Sequence, residues 1–295
     1  MVFVTGAGGL SGSAVVREFS RQGVPVRALV RDRSRAAALS GLPNVQLVEG
    51  DMARAETLGP ALEGVERVLM ISSTTPHMFD TQCRFVDACK AAGVPHVVKF
   101  SGKESGNGFD AKKFRFTSMH EQVERYLQSS GLAWTHLRPS QFMQVYLREV
   151  PSIVSKGLLL LSLEDVKLSP VDIQDIAEIA FGVLTGDGHE NRAFDITGPE
   201  ALSMTDIAAA IAKVTGKPVR YQNVSPEDRR RALIAAGLPT FTVDALDEQA
   251  AERRRHPDSR VDLSTHRIFG VQPTTFAEFA RRHTAVFRGE GAATI

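Results

Sequence analysis

A doubly wound α/β fold, a parallel sheet with helices on both faces, is the fold class this sequence predicts. Three observations predict it. Short apolar runs alternate with amphipathic stretches through the first half of the chain. A glycine-rich turn joins the first apolar run to the first helical stretch. Several helical stretches stop at a glycine, namely Gly41, Gly64, Gly93 and Gly131. Strand–helix alternation calls for crossover helices on both faces, with ligands bound at the carboxyl ends of the strands.

The first strand is the run Met1-Val2-Phe3-Val4. Thr5-Gly6-Ala7-Gly8-Gly9-Leu10-Ser11-Gly12 follows, and a helical pattern then runs over 14–21. Gly6, Gly9 and Gly12 stand three apart in the strand–turn–helix position where a dinucleotide pyrophosphate binds. One glycine makes the tight turn, one lets backbone N–H groups approach the phosphates, and one lets helix and strand pack closely. The helix N-terminus beyond, with Leu10 and Ser11, adds unpaired N–H donors for an anion. A plain tight turn would use the same glycines; the strand before, the helix after and the units downstream favour cofactor binding.

Further strands are expected over 26–30, 45–48, 68–71, 96–100 and 133–137, with helices around 35–41, 53–63, 82–92 and 117–130. The pattern loosens after Pro139. Residues 141–156 mix Phe142, Met143 and Tyr146 with polar residues, which suits either an apolar pocket wall or a surface helix. The spacing of Ile173, Ile176, Ala177, Ala180, Val183 and Leu184 predicts a strongly amphipathic helix. A strand over 193–196, a helix over 205–214 and a strand over 218–224 come next, then charge-rich helices and a loose tail over 289–295. The expected organisation is a nucleotide-binding domain over 1–140, with 171–198 returning to it. A smaller, mainly helical substrate lobe takes 141–295.

Composition narrows the function. A hydrophobic content of 43% and a formal net charge of +1 describe an ordinary globule, with no reason to expect nucleic acid or a membrane as partner. The runs Arg229–Arg231 and Arg253–Arg255 each adjoin acidic residues, so they read as solvated helix faces. The apolar stretch 157–163 is too short to span a bilayer. The first strand begins at Met1, which leaves no room for a signal peptide, and a cytoplasmic location is expected. Cys83 and Cys89 fall on different helix faces and the histidines lack ligand spacing, so neither disulfides nor a metal site is expected. A monomer or homodimer is anticipated.

The residues after the second strand choose the cofactor. A carboxylate there suits NAD, whereas cations suit the extra phosphate of NADP. Here the chain reads Val30-Arg31-Asp32-Arg33-Ser34-Arg35, with Arg31 in the first position past the strand and Arg35 close behind. Guanidinium groups match phosphate bidentately, so NADP(H) is favoured and NAD(H) remains the competitor through Asp32. Asp51, with Met52 beside it, is placed to accept a hydrogen bond from the adenine amine or to cap the next helix. Ser72, Ser73 and Thr74 are expected along the ribose and pyrophosphate. Ser101 either faces the nicotinamide or substrate or merely satisfies the strand end.

Together these residues resemble the NmrA-like branch of the atypical short-chain dehydrogenases/reductases. The matching pieces are Val4-Thr5-Gly6-Ala7 with its glycines, 26–32, Glu49-Gly50-Asp51, Ser130-Gly131-Leu132 and Leu137-Arg138-Pro139 followed by Phe142-Met143. Later matches are 171–177 and 195–200. The resemblance implies a Rossmann-type domain and NAD(P)H-dependent reduction of quinones, dyes or isoflavonoid-type substrates, without metal or flavin. The family also includes regulators that bind the dinucleotide without turning it over.

One departure is informative. Typical short-chain dehydrogenases carry Tyr-x-x-x-Lys, the tyrosine as proton donor and the lysine on the nicotinamide ribose. Phe116 and His120 have that spacing here. Phenylalanine donates no proton. His120 would hold the ribose by a hydrogen bond, or else is a helix-surface histidine. Hydride addition to a simple ketone creates an alkoxide whose conjugate acid is about as weak as water, so it needs a positioned acid. A quinone yields a phenolate-type anion with a pKa of about 10, which leaves or is protonated by water. The site therefore suits a quinone or polycyclic aromatic ketone, oriented by Phe116, Phe142, Met143 and Tyr146. A reduced, electron-rich product would then react with O2. The alternatives are a dinucleotide sensor and an epimerase or dehydratase, the last of which normally relies on the missing tyrosine.

Overall fold

The computed structural model describes residues 1–54, 57–102 and 109–291, apart from the side chain of Arg35. Strands β1 (Val2–Val4), β2 (Val26–Val30), β3 (Val45–Glu49), β4 (Arg67–Met70), β5 (His96–Phe100), β6 (Ala133–Pro139) and β9 (Arg192–Ile196) form one sheet. They pair in parallel in the order β3-β2-β1-β4-β5-β6-β9. The direction of winding reverses between β1 and β4, so a crevice opens there at the carboxyl ends.

Strand alternation assigns the side chains to two layers. Val2 and Val4 of β1, with Val98 of β5, face helices α1 (Leu10–Arg21) and α6 (Ile173–Thr185). Phe3 and Val97 face α3 (Met78–Ala91) and α4 (Arg115–Ser129) on the other side. Both faces are thus dry, which is why these strands read as continuous apolar runs. Thr5 ties the ends of β1 and β4 together: its hydroxyl donates to Ile71 O at 2.7 Å and accepts from Ile71 N at 2.8 Å.

Local chemistry changes two predicted helices. The stretch 35–41 is a 3-10 helix, Arg33–Leu39, capped by Asp32, whose carboxylate accepts from Ser34 N at 2.8 Å. Of the expected helix over 53–63, the α-helical part among the described residues is α2 (Gly59–Leu62). Ahead of it the Asp51 carboxylate accepts from Ala53 N, and Asp51 N donates to the Thr57 hydroxyl, each at 3.0 Å. Such side-chain bonds offer the backbone an alternative to helical pairing.

The remaining chain builds a second core beside the carboxyl edge. Here β7 (Leu158–Leu161) pairs in parallel with β11 (Arg220–Asn223), and β8 (Lys167–Leu168) antiparallel with β10 (Leu202–Ser203). Three of these strands, β7, β8 and β10, are missed by sequence reading because they are too short to show a period. Around them lie α5 (Val150–Lys156), α7 (Met204–Thr215), α8 (Pro226–Ala235), α9 (Thr240–Arg255), α11 (Phe276–Arg282) and α12 (Thr284–Phe287), whereas α10 (Ser264–Phe269) packs back on α6 and β9. Leu159, Ile207, Ile211, Phe276 and Phe279 fill the middle. The end of the expected loose tail, 292–295, lies outside the described residues. No helix of the described residues is long and apolar enough to cross a membrane.

The arginine runs correct an expectation. Arg229 forks onto the buried Glu149 at 2.6 and 3.0 Å, Arg230 binds Asp244 at 2.7 Å and Asp247 at 2.5 Å, and Arg254 donates to Ser162 O at 2.6 Å. Arg253 is buried. Arg229, Arg230 and Arg254 thus clamp the second lobe rather than coat a solvated face, because partners remote in sequence reach them. Arg231 and Arg255 stay exposed beside the local acids Asp228 and Glu252.

Candidate active site

One cavity of about 1020 Å3 runs along the carboxyl edge of the sheet and under the second lobe. Its first end is made of backbone. Gly6, Gly9, Leu10, Ser11 and Gly12 line it. Gly6 sits at φ +61, in the left-handed region. A Cβ on Gly12 would stand 2.3 Å from Gly6 O, so only glycine lets α1 start against the turn. Gly9 is the N-cap of α1 with no side chain to satisfy the first N–H groups, and the first turn carries no acid. An anion fits that combination of open donors and positive dipole.

The next stretch of wall carries the selecting side chains. Arg31 is exposed and lines the cavity with Asp51 and Met52. Arg33 turns the other way, donating to Leu47 O at 3.0 Å and meeting Glu49 at 3.7 Å. The side chain of Arg35 lies outside the described residues. Ser72, Ser73 and Thr74 line the cavity beyond β4.

At the far end Ser101, Phe116, His120 and Phe142 reach the wall, as sequence reasoning expects of them. Ser101 donates its hydroxyl proton to Glu124 Oε1 at 2.6 Å. Glu124 is clamped by Arg138 at 3.0 and 2.6 Å. Burial alone would raise this carboxyl; the hydrogen bonds from Arg138, the nearby His136 and the Ser101 hydroxyl hold it below its ordinary value. His120 is not a surface histidine. It is buried, with Nδ1 3.0 Å from Lys99 Nζ.

Two expected wall residues are elsewhere. Met143 and Tyr146 are buried in the second core, where the Tyr146 ring meets Phe276 edge-on at 5.3 Å and its hydroxyl accepts from Gln141 at 3.2 Å. The reason is helix type. Met143–Glu149 is a 3-10 helix, in which side chains three apart eclipse. Phe142, Val145 and Arg148 therefore share the cavity face, while Met143 and Tyr146 share the core face.

Sequence reasoning also missed α9, which contributes Ala245, Leu246, Gln249 and Arg253. Glu248 holds α9 against the start of α4, accepting from Arg115 N and from Arg115 Nε at 2.9 Å each. A helix so distant in sequence leaves no local signal. Lys99 did leave one: a cation inside the apolar run 96–100.

Fold and cleft together define a Rossmann-type α/β protein whose glycine turn and open helix N-terminus form an anion cradle at the sheet's switch point. More particularly, the chain belongs to the NmrA-like family, whose model matches residues 1–280. It is 35% identical over 287 residues to an NAD(P)H azoreductase of Xenophilus azovorans, covering 97% of this chain and 99% of that protein. Quinone oxidoreductase 2 of Escherichia coli is 31% identical, with 94% and 96% covered. The crystal structure of the NADPH-dependent quinone oxidoreductase QOR2 from Escherichia coli, complexed with NADPH, superposes with a TM-score of 0.83 at 29% identity. That match covers 96% of this chain and 99% of that one.

Proposed function

We propose that this protein is an NADPH-dependent reductase of quinones and related conjugated aromatic acceptors. The observation that carries the reading is the single cavity joining an anion cradle and Arg31 at one end to an aromatic wall at the other. Gly6, Gly9 and Gly12 would hold the pyrophosphate, Arg31 the extra phosphate of NADP, and Ser72 to Thr74 the adjoining ribose. When bound, the dihydronicotinamide supplies a hydride. Phe142 packs edge-on to Phe100 at 6.1 Å, and Phe114 and Phe116 stand 5.6 Å apart, so flat acceptors meet ring faces and edges. Orientation against these walls accounts for much of the rate. Relatives that act on azo compounds and quinones support this acceptor class.

The test is anaerobic mixing with NADPH and a panel of naphthoquinones, anthraquinones and azo dyes, following nicotinamide absorbance. NADPH loss with at least one acceptor is expected, and Arg31→Ala should weaken NADPH about tenfold or more while sparing NADH. Tight NADPH binding without turnover on any acceptor would instead identify a dinucleotide sensor. Repeating the active pair in air tests the finer expectation of O2-dependent hydroxylation; a product with no added oxygen atom rules it out.

A further inference from the structure

Lys99 is fully buried at the next-to-last position of β5. Strand alternation sends it, with Val97, toward α3 and α4. There Nζ donates to Gln82 Oε1 at 2.8 Å and lies 3.0 Å from His120 Nδ1. Gln82 is itself fixed by donating to the Ser72 hydroxyl at 2.8 Å. As an ammonium, its form below a pH of about 7, Lys99 offers only donors, so the ring nitrogen it meets carries no proton. Neutral His120 therefore keeps its proton on Nε2. That edge lies at the cavity wall: Nε2 is 2.4 Å from where a Cβ on Gly102 would stand, and both residues line the cavity.

The electrostatics agree. Burial, and then the Lys99 charge, hold His120 well below its ordinary value, so the ring is neutral. Burial pushes Lys99 down to about 7, against the opposing pull of Glu124 and the Cys83 thiol. That thiol is itself pushed up to about 11 by burial. Among the described residues His136, opposite Lys99 in the β5–β6 ladder, is a further titratable neighbour.

We propose that Lys99 and His120 form a proton relay for the reduced acceptor, an inference that rests on the reductase reading above. After the acceptor has taken hydride from a dihydronicotinamide cofactor it is an anion. His120 gives it the Nε2 proton while Lys99 gives a Nζ proton to Nδ1. The Nε2–H and one Nζ–H bond break; a bond to hydrogen forms on the substrate and another on Nδ1. Lys99 is left as an amine. A solvent proton taken up at Nε2, with return of the Nδ1 proton to Lys99, resets the pair. His120 is thus the catalytic acid and Lys99 its positioning residue. The relay matters least for a quinone, whose product is a phenolate. It matters most for an azo bond, because hydride addition there leaves a nitrogen anion far more basic than phenolate.

Nitrogen-15 NMR of the histidine-labelled protein without cofactor tests the pair independently of turnover. The His120 ring should show a protonated Nε2 and bare Nδ1, and Lys99→Met should abolish that preference. In steady-state assays Lys99→Met and His120→Gln should each lower the azo rate about a hundredfold, as loss of a general acid does, and the naphthoquinone rate about threefold. The wild-type azo rate should fall as pH rises through about 7, and Lys99→Met should lose that limb. An Nδ1–H ring, equal losses on both acceptors, or no azo turnover in a wild type that reduces quinones each overturn the relay alone. A wild type that oxidises NADPH with no acceptor overturns the reductase reading as well.

Discussion

At the end of the cleft formed by β1, β2 and α1, the wall is backbone: a glycine turn, a helix start and one arginine within 31 residues of the first. At the other end the wall is side chains from α4, the 3-10 helix at Met143–Glu149 and α9, drawn from residues more than 100 apart. The first end admits little change, because backbone approaches backbone there. The second end exchanges residues at the cost of packing and ion pairs. On the proposed reductase reading, such a division would hold one cofactor constant while the acceptor varies.

Four measurements would break or sharpen that contrast. Tyr146 and Phe142 lie four residues apart but on opposite faces of the same turn. Tyr146→Ala should cost about 3–5 kcal/mol in urea unfolding, as for other buried aromatics, with little effect on acceptor KM in the folded protein. Phe142→Ala should do the reverse, raising acceptor KM with a much smaller loss of stability. Comparable stability losses would mean that the two faces are not separated as described. Gly12→Ala should weaken NADPH binding about a hundredfold, near the 3 kcal/mol end of overpacking costs. Fluorescence titration checks it, with circular dichroism to confirm folding.

The third measurement concerns Lys99, which stands between the two ends. Its folded pKa is about 7, below the ordinary 10.5 of the unfolded chain. The unfolded state thus binds more protons between those values, so stability rises with pH across that window. It falls as pH drops from 10.5 toward 7. Relative to Lys99→Met, the wild type should gain up to about 1.4 kcal/mol per pH unit there. Denaturant curves at pH 7.5 and 9.5 read the difference, and a flat one would mean the lysine is not buried in solution. The smallest effect is expected at Glu248→Gln, which loosens α9 from Arg115. Acceptor KM should rise about threefold, the scale of one partly exposed ion pair; NADPH affinity should not change.

Legibility followed the same division. Gly6, Gly9, Gly12, Arg31 and Ser72 to Thr74 are readable because each needs only its own strand–turn unit. Phe116 and His120 are readable through their spacing on one helix. Met143 and Tyr146 were misplaced because a helix of three residues per turn sorts side chains differently from one of 3.6. Arg148 and α9 gave no signal, since nothing local records which distant helix closes a cleft.

By itself the sequence determined the alternation of strands and helices, the anion cradle and the arginine after β2. These follow from short-range sterics and a period of two or 3.6. Tertiary structure alone decided that Lys99 meets His120, that Ser101 spends its proton on Glu124, and that α9 lines the far end of the cavity. Those pairings depend on which faces are packed together after the crossovers close. Burial then changes what the same side chains can do: the lysine gives up its proton more readily and the histidine stays neutral.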